Sequence, residues 1–134
     1  MGRTVAMSTA DVRERASAAR EFHQVAQERL EPAPGGTSPE AQVAASNAVH
    51  AAIAASDALC GSAHGYHASG SDHRGAIGLL KAVRGEGPRL ATRLARLLSS
   101  KTEFNYGGFC NRAEAERATT DAGALVDELN RLNL

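Results

Sequence analysis

An all-α chain folded as an antiparallel bundle of four to five helices is what this sequence predicts, on three observations. Alanine, the strongest helix former, occurs 27 times in 134 residues. Aromatics are scarce, with three Phe, two Tyr and no Trp, and β-propensity is low throughout. Between strong breakers, apolar residues return every three or four positions, the spacing of a helix face.

The breakers set five segments, about 9–30, 38–60, 72–84, 88–102 and 111–132. Ser8 or Thr9 caps the first, whose stripe is Ala16, Ala19, Phe22, Val25 and Ala26. Two prolines and two glycines between Glu31 and Thr37 end it. Ser38 followed by Pro39 reads as an N-cap with proline in the first turn. The second helix points Val49, Ala52, Ile53, Leu59 and Cys60 inward, with Ser56 on the same stripe bonding back to its own helix. Gly61 to Gly70 reads as a loop carrying His64, Tyr66 and His67. Ser71 or Asp72 caps the third helix, faced by Ile77, Leu80 and Val83, and Gly85-Glu86-Gly87 stops it. Pro88 opens the fourth, faced by Leu90, Leu94, Leu97 and Leu98, and Gly107-Gly108 closes the stretch that begins at Lys101. Asn111 with Glu114 has capping-box spacing ahead of a last helix faced by Ala118, Ala122, Leu125, Val126 and Leu129. No internal repeat or long linker divides the chain, so one domain over 1–134 is expected.

Composition narrows the class. The chain is 43% hydrophobic and 22% charged, with 15 basic and 15 acidic residues, so no global field drives it onto nucleic acid or membrane. No apolar run reaches the roughly 20 residues that span a bilayer, and the first residues lack the apolar stretch of a secretory signal. Cys60 and Cys110 make no disulfide framework, which places the expected site of action in the reducing cytoplasm. A core built on alanine is thin, and burying a further face in a homodimer would thicken it.

Charge is uneven locally. Arg74, Lys81, Arg84, Arg89, Arg93, Arg96 and Lys101 share 28 residues with one acid, Glu86, whereas residues 102–134 hold three basic residues against six acids. Arg89, Arg93 and Arg96 fall on one helix face and could grip phosphates as forks. They could equally pair with the acidic last helix, within the chain or across a dimer. Cys60, His64, His67 and His73 offer four possible zinc ligands in 14 residues, but one thiolate with three imidazoles is unusual. The plainer reading makes Cys60 core and the histidines loop or helix-start residues, so no metal and no cofactor is expected. His23 and His50 stand without sequence neighbours of that kind and read as structural or surface residues. No nucleophile elbow, Cys-His arrangement or phosphate loop is present.

Asp72-His73-Arg74-Gly75-Ala76-Ile77-Gly78-Leu79-Leu80 at a helix start, then Leu94, Leu97 and Leu98, then Lys101-Thr102-Glu103-Phe104-Asn105-Tyr106-Gly107 and a final alanine-rich helix form a recognisable order. It resembles the HEPN superfamily of small helical-bundle proteins, in particular HEPN-like proteins of GC-rich actinobacteria. Ala45 to Ile53 stands where those proteins have their second helix, and the resemblance covers residues 8–132. It implies a homodimeric bundle with RNA-related business: endoribonuclease toxins, defence effectors, or partners of small nucleotidyltransferases. The nuclease members carry an arginine followed by a few residues and then a histidine, but no arginine here is followed by histidine five to seven positions later; Arg20, three residues before His23, is too close and lies in the wrong helix.

Three functions are therefore expected. The first is a dimer that binds nucleic acid, RNA foremost, or a nucleotide through Arg74, Lys81, Arg84, Arg89, Arg93 and Arg96, in a toxin–antitoxin or defence setting. The second is an atypical endoribonuclease with His73 as base, Asp72 as its orienter, Lys101 as positive charge and Tyr106 as hydroxyl donor. The third is an interaction module paired with an antitoxin or nucleotidyltransferase. Against the second, Asp72 is also a natural helix cap, and His73, Lys101 and Tyr106 suit bundle ends.

Overall fold

The computed structural model describes residues 3–101 and 108–134. Among them are β1 (Thr4–Ala6), α1 (Thr9–Leu30), α2 (Pro39–His64), β2 (Tyr66–Ala68), α3 (His73–Lys81), α4 (Gly87–Ser99) and α5 (Arg112–Arg131). The chain is therefore mostly helical, with one small antiparallel sheet in which Val5 pairs with His67.

Local chemistry starts the long helices. Ser8 and Asp11 form a reciprocal capping box on α1, and Asn111 and Glu114 form another on α5. Ser38 accepts from the Ala41 amide, with Pro39 in the first turn of α2.

The helix α2 is the centre of the bundle. It packs against α1 and α5, which also touch each other, and also meets α3, α4 and β2. Directions are set by which residues meet. Arg15, early in α1, reaches Asp57, late in α2, so these two helices run antiparallel. Arg89, early in α4, shares a cleft with Glu128, late in α5, whereas Ser99, at the end of α4, lies beside Ala113 and Glu114 at the start of α5. That pair is antiparallel as well.

The inward face expected on α2 is wider than a single stripe. Ala41, Ala44, Ala45, Ala48, Ala51, Ala52, Ala54, Ala55 and Ala58 are all fully buried beside Val49, Leu59 and Cys60, while Val43 and His50 mark the side left to solvent. A broad apolar face suits a helix at the centre of a bundle, and alanine lets neighbours approach it from several directions. By length and hydropathy α2 alone among the described residues could cross a membrane, yet two-thirds of that window is buried inside the bundle. Val25, expected to face inward on α1, is exposed, because Ala16, Ala19 and Ala26 define a contact line beside it.

The expected loop from Gly61 to Gly70 is also corrected. The α2 helix continues to His64 and stops at Gly65, whose φ of 83° is the left-handed conformation that favours glycine. The chain then pairs β2 with β1, an element with no sequence signal of its own. The other expected helices agree with those observed to within a few residues at their ends.

Gly61 lets the N-terminal segment pack onto the last turns of α2. A β-carbon there would stand 2.5 Å from Met7 Sδ and 2.9 Å from Val12 Cγ2, so the N-terminal segment closes directly over the helix backbone. Gly61→Val is expected to destabilise the fold by about 3 kcal/mol through overpacking and reduced helix propensity. An unchanged thermal midpoint would show that the N-terminal segment does not press on this site.

Candidate nucleic-acid interface

The basic residues from Arg74 to Lys101 divide into two groups once the bundle is assembled. On α4, burial of Leu90, Leu94 and Leu97 turns Arg93 and Arg96 toward α5. Both guanidiniums donate to the same oxygen, Oδ1 of Asp121, at 3.0 Å. Asp121 is buried in the wall of α5, so two arginines closing on one carboxylate act first as a helix–helix clamp. Arg89 donates to Glu86 at the start of its own helix. The alternative weighed from sequence, pairing within the chain, describes Arg93 and Arg96.

The second group is on α3 and the turn after it. Arg74 and Lys81 lie seven residues apart on one helix face, and Arg84 comes next in the turn; all three are exposed. None has an ion-pair partner among the described residues. The only acid between Tyr66 and Gly85 is Asp72, whose Oδ1 accepts from the Gly75 amide as the cap of α3. The positive charge on this edge is therefore uncompensated.

A cleft of about 990 Å³ runs along α5 between α1 and α4. Its four arginines are engaged: Arg89 with Glu86, Arg93 with Asp121, Arg131 with Glu128, and Arg112 with Glu116 and the carbonyl oxygens of Leu30 and Ala33. Glu128 is buried, and its hydrogen bonds from Arg131 hold its carboxyl below the usual carboxylate range. With Glu31 and Asp127 also on its walls, the cleft carries more acid than spare base.

Searched against protein families and curated proteins, the chain matches none.

The residues considered for catalysis are only partly brought together. Asp72 and His73 line one cavity with Ser56 and Asp57, but its volume is about 10 Å³, room for roughly one water and not for a nucleotide. Asp72 Oδ2 is buried there with no hydrogen-bond partner. Lys101, after α4, is half-buried, and Tyr106 lies outside the described residues.

The four candidate zinc ligands take separate tasks. His64 donates from Nε2 to the Leu79 carbonyl, 2.9 Å away. His67 turns Nδ1 to the Ala68 carbonyl at 2.6 Å, with Asp57 Oδ1 at 3.5 Å. Burial pushes the carboxyl of Asp57 up from its ordinary value, against the pull of His67 and Arg15. Among the described residues, no three His, Cys, Asp or Glu side chains are grouped to hold a metal ion.

Burial also pushes the Cys60 thiol up to about 12. At neutral pH it is a core side chain and not a nucleophile. Native protein at about pH 8, near the ordinary thiol pKa, should show no alkylation of Cys60 by iodoacetamide over a time in which the urea-unfolded chain reacts fully. Rapid modification of the native thiol, read by mass spectrometry, would show that the α2 core opens.

Sequence reasoning missed two features of this region. The acid that occupies Arg93 and Arg96 lies 28 and 25 residues away on another helix. Tyr66, read as a loop residue, is an exposed strand residue beside α3.

Proposed function

We propose that this chain is a HEPN-like helical domain that binds nucleic acid, RNA foremost, through the α3 edge. The observation that carries the reading is the uncompensated charge of Arg74, Lys81 and Arg84, exposed on a stretch whose one acid is spent on a helix cap. Phosphate contacts need cations free to displace counterions, and these residues fit better than the α4 arginines held on Asp121 and Glu86. The working unit in this reading is a homodimer with one α3 edge per protomer, each binding on its own, in a toxin–antitoxin or defence setting.

Binding of a labelled single-stranded RNA, followed by fluorescence anisotropy, tests it. Three phosphate contacts per protomer give a log–log salt slope of about −2, so raising salt from about 50 to 200 mM should weaken binding roughly 16-fold. Affinity that ignores salt, or no binding at low salt, overturns the reading. The cavity at Asp72 and His73 is too small for a nucleotide and gives the cleavage reading no support.

A further inference from the structure

An aromatic shelf stands beside the basic edge, and the proposed phosphate contacts do not use it. The β2 strand packs against α3, and its first residue, Tyr66, is 38% exposed. The ring of Tyr66 stacks on that of His64, with centroids 5.7 Å apart and an interplanar angle of 28°. His64 is itself fixed to α3, because the Leu79 carbonyl can only accept and the Nε2–H must donate to it. The Ala6–Tyr66 pairing of the small sheet holds the backbone from the other side. Tyr66 is thus a preorganised ring with one face backed by an imidazole and the exposed remainder open to solvent.

An exposed ring anchored on the helix that carries unpaired cations has a specific use. A base in a duplex has both faces covered by its neighbours, whereas a base in a single strand can stack on a protein ring. From the Tyr66–His64 stack, tied to α3 at Leu79 two residues before Lys81, we infer that the α3 edge selects single-stranded nucleic acid and that Tyr66 stacks on one of its bases. This rests on the binding reading above and adds a strand preference and a residue to it. The cations hold the backbone and Tyr66 holds a base, so the two contributions differ in their response to salt.

Matched single-stranded and duplex RNA of one sequence, titrated against the full chain, separate them. Tyr66→Ala should weaken single-strand binding roughly tenfold or more while leaving the salt slope unchanged, and Tyr66→Phe should retain the parental affinity. The parent should bind the duplex at least about tenfold more weakly than the single strand. Because the chain has no Trp and only two Tyr, a Tyr106→Phe protein leaves Tyr66 as its one tyrosine emitter. Quenching of that emission by single-stranded RNA reports stacking without perturbing the ring. Equal affinity of the Tyr66→Ala protein with an unchanged circular dichroism melt, equal binding of duplex, or unquenched emission overturns the inference and leaves salt-dependent binding standing. Absence of binding to either RNA overturns both.

Discussion

The Arg74→Ala/Lys81→Ala/Arg84→Ala protein should lose on the order of 100-fold in RNA affinity at about 0.1 M salt, with its salt slope falling by about 2. Counterion release sets both numbers: each phosphate contact on a single strand contributes about 0.7 to the slope, and extrapolation from 1 M to 0.1 M salt spans one logarithmic unit. Stability should hardly change, because all three side chains are exposed and none makes an ion pair among the described residues; surface substitutions of this kind stay within about 0.5 kcal/mol each. Anisotropy titrations at several salt concentrations, beside a thermal melt, give both readouts. A triple variant that binds as the parent does would move the interface off α3 altogether.

Arg93→Ala/Arg96→Ala should give the opposite pattern, a large loss of stability with little change in RNA affinity. Removing both guanidiniums strands the buried carboxylate of Asp121 between α4 and α5. Breaking such a pair from one side costs about 3 kcal/mol, since an uncompensated charge is left out of water. For a chain of this size the thermal midpoint should fall by roughly 10 °C. Adding Asp121→Leu to the same protein should recover most of the loss, because an apolar residue of similar volume needs no partner. A double variant that melts with the parent but no longer binds RNA would show that the α4 arginines serve a ligand and not the fold. The two sets of basic residues, close in sequence, are thus separable by experiment.

That separation marks the boundary of what could be read in advance. Helix starts were legible because a cap and its first turn lie within three residues of one another, as Ser8 with Asp11 and Asn111 with Glu114 show. The core faces of α4 and α5 were legible because Leu90, Leu94 and Leu97, and Ala118, Ala122, Leu125 and Leu129, repeat at the helical period that burial requires. The charge imbalance from Arg74 to Lys101 was also plain, and so was the absence of a nuclease-type arginine–histidine spacing.

Which of those charges remain free was not. Asp121 meets Arg93 and Arg96 only when α5 docks on α4, and no local pattern marks one carboxylate among several on the last helix as the partner. The β1–β2 pair joins segments some sixty residues apart through backbone groups that every residue has, over three residues too few to show alternation. Tyr66 became a candidate site residue only through that pairing. Sequence alone determined the helical class, the caps and the apolar faces, because these depend on neighbours along the chain. Tertiary structure decided how wide a face of α2 is buried, the neutralised arginines and the aromatic shelf, because each depends on which distant surfaces the bundle brings into contact.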